Sequence, residues 1–162
     1  MSEIHTKPEV HIFKAPMSTV KTPGRRSVFL AGSIEMGKAE DWQAKIQKEF
    51  RDSPVDIYNP RRDDWDSSWK QEITDPQFSK QVNWELDHLE QADFIFMYFS
   101  PETKAPISLL EMGLFAHSSK MIVVCPEGFY RKGNVDIVCK RNNIQVFTSL
   151  RDGIEMLKYI LK

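Results

Sequence analysis

From Ser27 onward, short apolar runs alternate with stretches in which apolar residues recur every three or four positions. The short runs read as strands, and the wider spacing reads as one face of a helix. The strand candidates are Ser27–Ala31 (SVFLA), Val55–Tyr58, Asp93–Phe99 (DFIFMYF), Met121–Cys125 and Ile144–Phe147. DFIFMYF is apolar almost throughout, as expected of a strand covered on both faces. Asp41–Arg51 reads as a helix, with Trp42, Ile46 and Phe50 at spacings of four. Further helix candidates are Gln81–Gln91, Ser108–His117 and Val135–Arg141. Ser149–Leu161 closes the chain as an amphipathic helix with Leu150, Ile154, Leu157 and Leu161 on one side. Asn59–Phe78 is a long connection containing Pro and Trp. Residues 1–26 are polar, carry three prolines and read as a loosely ordered arm with one short extended piece at Val10–Phe13.

Strands that alternate with helices imply right-handed βαβ units. The expected fold is therefore α/β: a three-layer sandwich with a central parallel sheet of about five strands, flavodoxin-like or Rossmann-like. Residues 27–162 would form this one domain behind the 1–26 arm. Ligands in such sheets bind beyond the carboxyl ends of the strands. Function is then to be sought in Gly32–Lys38, Asn59–Trp69, Ser100–Glu111, Pro126–Asn134 and at Thr148.

Composition narrows the classes. The 162 residues are 41% hydrophobic and 28% charged, ordinary for a globular protein. Lys and Arg number 22 against 23 Asp and Glu, a net charge of −1. That balance gives no electrostatic case for a nucleic-acid polymer or a membrane surface. Cys125 and Cys139 form no CxxC pair, so neither a structural zinc site nor a disulfide framework is expected. No apolar run reaches the length of a membrane span, and the N-terminus lacks a signal-peptide core. A cytoplasmic location is the expectation.

AGSIEMGKA (31–39) contains Gly32, Gly37 and Lys38 in the GxxxxGK spacing of a phosphate loop. The hydroxyl residue that binds magnesium in that motif is replaced by Ala39, so a nucleotide triphosphatase is not expected. Two readings stay open: a turn that needs glycine at positive φ, or the Gly32–Ser33–Ile34 backbone passing close to a small ligand.

Two carboxylates stand on apolar faces. In QVNWELDHLEQ, Glu85 lies three residues after Val82 and four before Leu89, which puts it on the apolar stripe. A charge there is costly unless paired or hydrated, so a salt bridge to an arginine of the Asn59–Arg62 segment or a stripe edge reaching water is one reading. In ISLLEMGLFA, Glu111 is the lone acid. Ser108 and Glu111 fit the S-x-x-E capping box. Alternatively, Glu111 is a carboxylate held in a partly dry cleft at the sheet's carboxyl edge, which suits a nucleophile. Gly113 costs about 1 kcal/mol of helix propensity against alanine, which tight packing or a passing substrate would justify. Two carboxylates converging on one cleft suggest glycosyl chemistry.

The segments FLAGSI (29–34), YNPRRDDW (58–65), QVNWELDHLEQADFIFMYF (81–99), LLEMGLFA (109–116) and PEGFYRKGNVDI (126–137) occur in that order. Through them the chain resembles the nucleoside 2-deoxyribosyltransferase-like proteins, which include 2′-deoxynucleoside 5′-phosphate N-hydrolases. The resemblance implies a flavodoxin-like fold and a two-step reaction at an N-glycosidic bond, without a metal or redox cofactor. It implies that Glu111 attacks C1′ and forms a glycosyl-enzyme. Glu85, where many relatives carry aspartate, would handle the proton of the base. Gly32, Ser33 and Ile34 would lie along the sugar and base. Asn59, Arg61, Arg62, Asp64 and Trp65 would help form the base pocket, with Trp65 or Trp69 stacking on the base. Ser100 and Ser108 would face the 5′ group. The partner it implies is a small-molecule nucleoside or nucleotide, and relatives assemble as homodimers or higher homo-oligomers. The competing reading is a non-catalytic module that binds and senses a nucleotide.

Overall fold

The computed structural model describes residues 7–34, 40–62, 66 and 68–162. In chain order its elements are β1 (His11–Lys14), β2 (Arg26–Gly32), α1 (Trp42–Glu49), β3 (Val55–Asn59), α2 (Pro76–Gln91), β4 (Phe94–Tyr98), α3 (Pro106–Phe115), β5 (Met121–Val124), α4 (Lys132–Arg141), β6 (Val146–Phe147) and α5 (Leu150–Ile160). The six strands form one sheet in the order β1-β3-β2-β4-β5-β6. Every pairing is parallel. Without β1 the order is that of a flavodoxin-like sheet, whose topological switch point falls between β2 and β4.

Side chains alternate across each strand, and this sorts them into two cores. Val28 and Leu30 face Trp42 and Ile46 of α1 and Ile154 and Leu157 of α5. Phe29 and Ala31 face the other way, toward Trp84 and Leu89 of α2, Met112 and Phe115 of α3 and Val135 and Cys139 of α4. Met97, Met112 and Met121 are core residues. Both cysteines are buried and unpaired, and burial pushes each thiol up to about 11.

Part of the expected arm joins the fold. His11–Lys14 adds a sixth strand, pairing with Asp56–Asn59. The following residues lie against α2: the Trp84 indole N–H donates to the Met17 carbonyl at 2.8 Å. His88 is buried there. Its ring stacks on Trp84 at 3.9 Å between centroids, its Nδ1 donates to the Trp84 carbonyl, and its Nε2 accepts from the Thr19 hydroxyl. Among the described residues no helix is long and apolar enough to cross a membrane.

Candidate active site

Three segments leave the carboxyl edge of the sheet beside the switch point: Gly32–Ile34 after β2, Asn59–Arg62 after β3 and Ser100–Ala105 after β4. Gly32 has φ +137°, and a Cβ there would lie 2.8 Å from the Tyr98 nitrogen and 2.9 Å from its carbonyl carbon. The neighbouring strand therefore suffices to require glycine at this position. Ser33 is fully buried. Its hydroxyl accepts from the Ser100 N–H at 2.9 Å and meets the Thr103 hydroxyl at 2.5 Å. Its carbonyl accepts from the Trp42 indole. These bonds knit the β2 and β4 loops together. Ile34 is half-buried. The remainder of the phosphate-loop-like segment, 35–39, lies outside the described residues.

The Asn59–Arg62 segment is held with similar economy. Asn59 Oδ1 accepts from the Arg61 N–H at 2.9 Å, an Asx turn, and its Nδ2 donates to Gln47 at 2.6 Å. The two arginines then diverge. Arg61 turns toward the start of α1, donating to the Glu40 carbonyl at 3.1 Å and to Gln43 Oε1 at 3.4 Å. Arg62 turns toward α2, donating to Gln81 Oε1 at 3.3 Å, with its guanidinium 4.7 Å from the centre of the Trp69 ring. Asp64 and Trp65 lie outside the described residues.

The carboxylates come from the two helices that follow. α2 starts at Pro76, with Asp75 as N-cap accepting from the Gln77 and Phe78 N–H groups. α3 starts at Pro106 behind Ala105, which sits at φ 45° and makes no side-chain cap bond. Ser108 is thus inside the helix and Glu111 is in its second turn, so the capping box does not form. Proline preset for the first helical position moves the start ahead of Ser108. Ser108 and Glu111 share the buried face with Met112 and Phe115. Gly113 is on the opposite, exposed side, and a Cβ there would meet nothing within 4 Å. Packing within this chain does not explain it.

Glu111 is 8% exposed and has no hydrogen-bond or ion-pair partner among the described residues. Burial, reinforced by the Glu85 charge, pushes its carboxyl up to about 8. Glu85 is pushed up to about 7 by burial, against a hydrogen bond from Gln81 that pulls it down. The repulsion between them is mutual, so they titrate as a pair. Near neutral pH the pair holds about one proton between two carboxyls. Such a pair can supply both an anionic nucleophile and an acid. Among the described residues no arginine forms a salt bridge with Glu85; Arg62 donates to Gln81, one turn before it.

Gln81 and Gln43 are absent from the sequence-derived site, yet both are buried at its walls. Gln43 Nε2 has no hydrogen-bond partner among the described residues. For Gln81 a signal existed, since it stands one turn before Glu85 on the same face. Neutral amides in a helix otherwise read as surface. A separate groove on the other face of the sheet is lined by Lys45, Glu49, Arg51 and Arg151. Its carboxylate, Glu49, is held down at about 2 by Arg151 and Lys158 and is no acid–base candidate. Among the described residues no cluster of three His, Cys, Asp or Glu is placed to hold a metal ion.

A family model described as nucleoside 2-deoxyribosyltransferase like matches residues 25–129, which takes in β2 through α3 and therefore both carboxylates. A crystal structure of a conserved protein from Enterococcus faecalis V583 superposes with a TM-score of 0.62 at 15% identity, covering 85% of this chain and 99% of that one. At that identity the likeness speaks to the fold. No curated protein matches the sequence.

Proposed function

From the premise that the chain belongs to the nucleoside 2-deoxyribosyltransferase-like family, which associates it broadly with nucleoside glycosyl transfer, we propose that it cleaves or transfers at the N-glycosidic bond of a (deoxy)nucleoside or nucleotide. The observation that carries the reading is the Glu85–Glu111 pair at the carboxyl edge of the sheet, Glu111 buried and Glu85 half-buried, with no cation paired to either among the described residues. Glu111 has the higher carboxyl pKa of the two, so the resting pair keeps its proton on Glu111. In the reactive state the proton has moved: Glu111 is the anion and Glu85 holds it. The Glu111 carboxylate forms a bond to C1′ as the C1′–N bond breaks. The Glu85 proton passes to the departing base nitrogen, so the base leaves neutral. Glu85, now ionised, takes a proton from water or an acceptor base as that nucleophile attacks C1′ and frees Glu111.

Ser108, on the same buried face as Glu111, and Arg62, beside Gln81, are the residues we assign to substrate contact. Ser33, Asn59 and Arg61 serve chiefly to hold the loops, since their polar groups are engaged within the chain. The exposed side of α3 carries Ile107, Leu110 and Leu114. A helix apolar on all sides is normally covered on all sides, and we assign this face to a second copy of the chain.

Incubation with a panel of nucleosides and their 5′-monophosphates, with and without an acceptor base, followed by chromatography, tests the reading. Free base or an exchanged nucleoside is expected from the wild type. Thermal stabilisation by nucleotides without any base release would favour a sensing module instead.

A further inference from the structure

The groove on the other face of the sheet lies between α1 and α5 and has a volume of about 560 Å³. That is the size of a small-molecule site. Leu150 and the buried Ile154 give it an apolar lining. Among the described residues its wall also carries Lys45, Lys48, Arg51 and Arg151 against one carboxylate, Glu49. In a chain of net charge −1 this is a local excess of positive charge. Glu49 does not cancel it. Its two oxygens already accept from Arg151 Nη2 at 2.7 Å and Lys158 Nζ at 2.6 Å. Arg151 is held further by Glu155 at 3.0 Å. Lys45 pairs with Glu40, and Arg51 with Asp52 at 3.4 Å, but all four side chains are more than half exposed. Ion pairs so exposed contribute little and yield readily to a better partner. Lys48 has no ion-pair partner among the described residues.

We propose that this groove is a second ligand site, one that takes a small organic phosphate: the phosphate lies among Lys45, Lys48 and Arg51, and an apolar body covers Leu150 and Ile154. Lys45 and Lys48 stand one turn apart on α1, and Arg51 follows just beyond its end. The guanidinium fork of Arg51 matches two phosphate oxygens, and the lysines add point charges. Three cations suit a dianion, whereas a single carboxylate would leave most of their charge unanswered. The apolar lining sets the other half of the requirement, since inorganic phosphate has nothing to lay against it. The site uses neither Glu85 nor Glu111, which belong to the helices on the opposite face. It therefore stands or falls apart from the reaction proposed above.

The test is a nitrogen-15 NMR titration of the full chain with 1-naphthyl phosphate, a probe that has the phosphate and an apolar body but no sugar and no glycosidic bond. Saturable shifts are expected in the amides of Lys48–Arg51 and Leu150–Arg151. The double variant Lys48→Met/Arg51→Met should bind about tenfold more weakly or worse, as should the wild type when salt is raised from 0.05 to about 0.5 M. 1-Naphthol and inorganic phosphate, each carrying half of the ligand, should both bind more weakly than the probe. The proposal is overturned by the absence of saturable shifts at these amides, by shifts confined to the Ser108–Glu111 turn, by 1-naphthol binding as tightly as its phosphate, or by unchanged affinity in the folded double variant. Should that variant not fold, Lys48→Met alone, which alters one exposed and unpaired side chain, is held to the same criterion with a smaller expected loss.

Discussion

Asp56 on β3 and the Glu85–Glu111 pair between α2 and α3 are both carboxylate sites withdrawn from water, but among the described residues only the first is given a cation. Asp56 Oδ1 accepts from Arg25 Nε at 2.8 Å, and His11 Nδ1 stands 3.5 Å away. Arg25 is itself fixed, donating to the Glu9 and Val55 carbonyls. The cluster ties the chain leading into β2 and the edge strand β1 to the middle of the sheet. It lies at the strands' amino ends, away from the loops that shape a site. Glu85 and Glu111 instead lie close enough for each charge to be felt by the other, with no cation paired to either among the described residues, and burial works against their ionisation. Paired charge at one end serves the fold, whereas unpaired charge at the other costs stability and makes proton transfer available near neutral pH.

Substitutions can break either side of this contrast. The largest expected effect is on turnover in Glu111→Ala. Removing the proposed nucleophile, which in the proposed reaction acts as a unit with its acid, should lower the rate of base release on the order of 10^4-fold. The melting temperature should not fall, because the side chain removed has no partner among the described residues to strand. A Glu111→Ala protein that releases base at the wild-type rate in the chromatographic assay would remove Glu111 from the reaction.

Next comes Arg25→Met, which keeps length and packing but leaves Asp56 buried with no guanidinium. Stranding one partner of a buried pair costs about 3–5 kcal/mol. Urea unfolding should show that loss, while kcat and KM of the folded variant stay at wild-type values. An unchanged midpoint would mean that His11 or water already satisfies Asp56, and the contrast between the two sites would shrink.

Much of this architecture is legible in the sequence, because alternating apolar runs and helical stripes leave few alternatives to a parallel α/β sheet. The edges are harder to read. β1 is short and polar in its surroundings, and it becomes a strand only through pairing with β3. The start of α3 is hidden behind Ala105, whose left-handed conformation nothing in its side chain announces. Within the site, Glu85 and Glu111 stand out because acids on apolar stripes are conspicuous. Gln81 does not, since a neutral amide carries no such mark and its partners, Arg62 and Pro60, come from a loop distant in sequence. Asp56 was readable in principle as a lone charge inside VDIYN, but its partner Arg25 is brought in by the chain's path into β2. Gly32 is recognisable as a turn glycine, while the reason for it, the Tyr98 backbone, comes from a strand far along the chain.

The smallest effect, and the one that separates the two sites by sign, is the stability of Glu111→Gln as a function of pH. Both carboxyls of the pair are raised in the folded protein from an ordinary value of 4.5, to about 7 and about 8. Between pH 4.5 and 8 the folded state therefore binds more protons than the unfolded chain. Wild-type stability should fall as pH rises through that window. Glutamine is neutral at every pH and relieves Glu85 of its like-charged neighbour, so much of the slope should disappear. At pH 8–9 the variant should be more stable than the wild type by about 1–3 kcal/mol, with little difference near pH 5. The gain would come at the expense of catalysis, as expected where a site holds charge the fold would rather exclude. Equal slopes for the two proteins in urea unfolding across this range would show that the pair is not electrostatically strained, and would leave Glu85 and Glu111 no different in kind from Asp56.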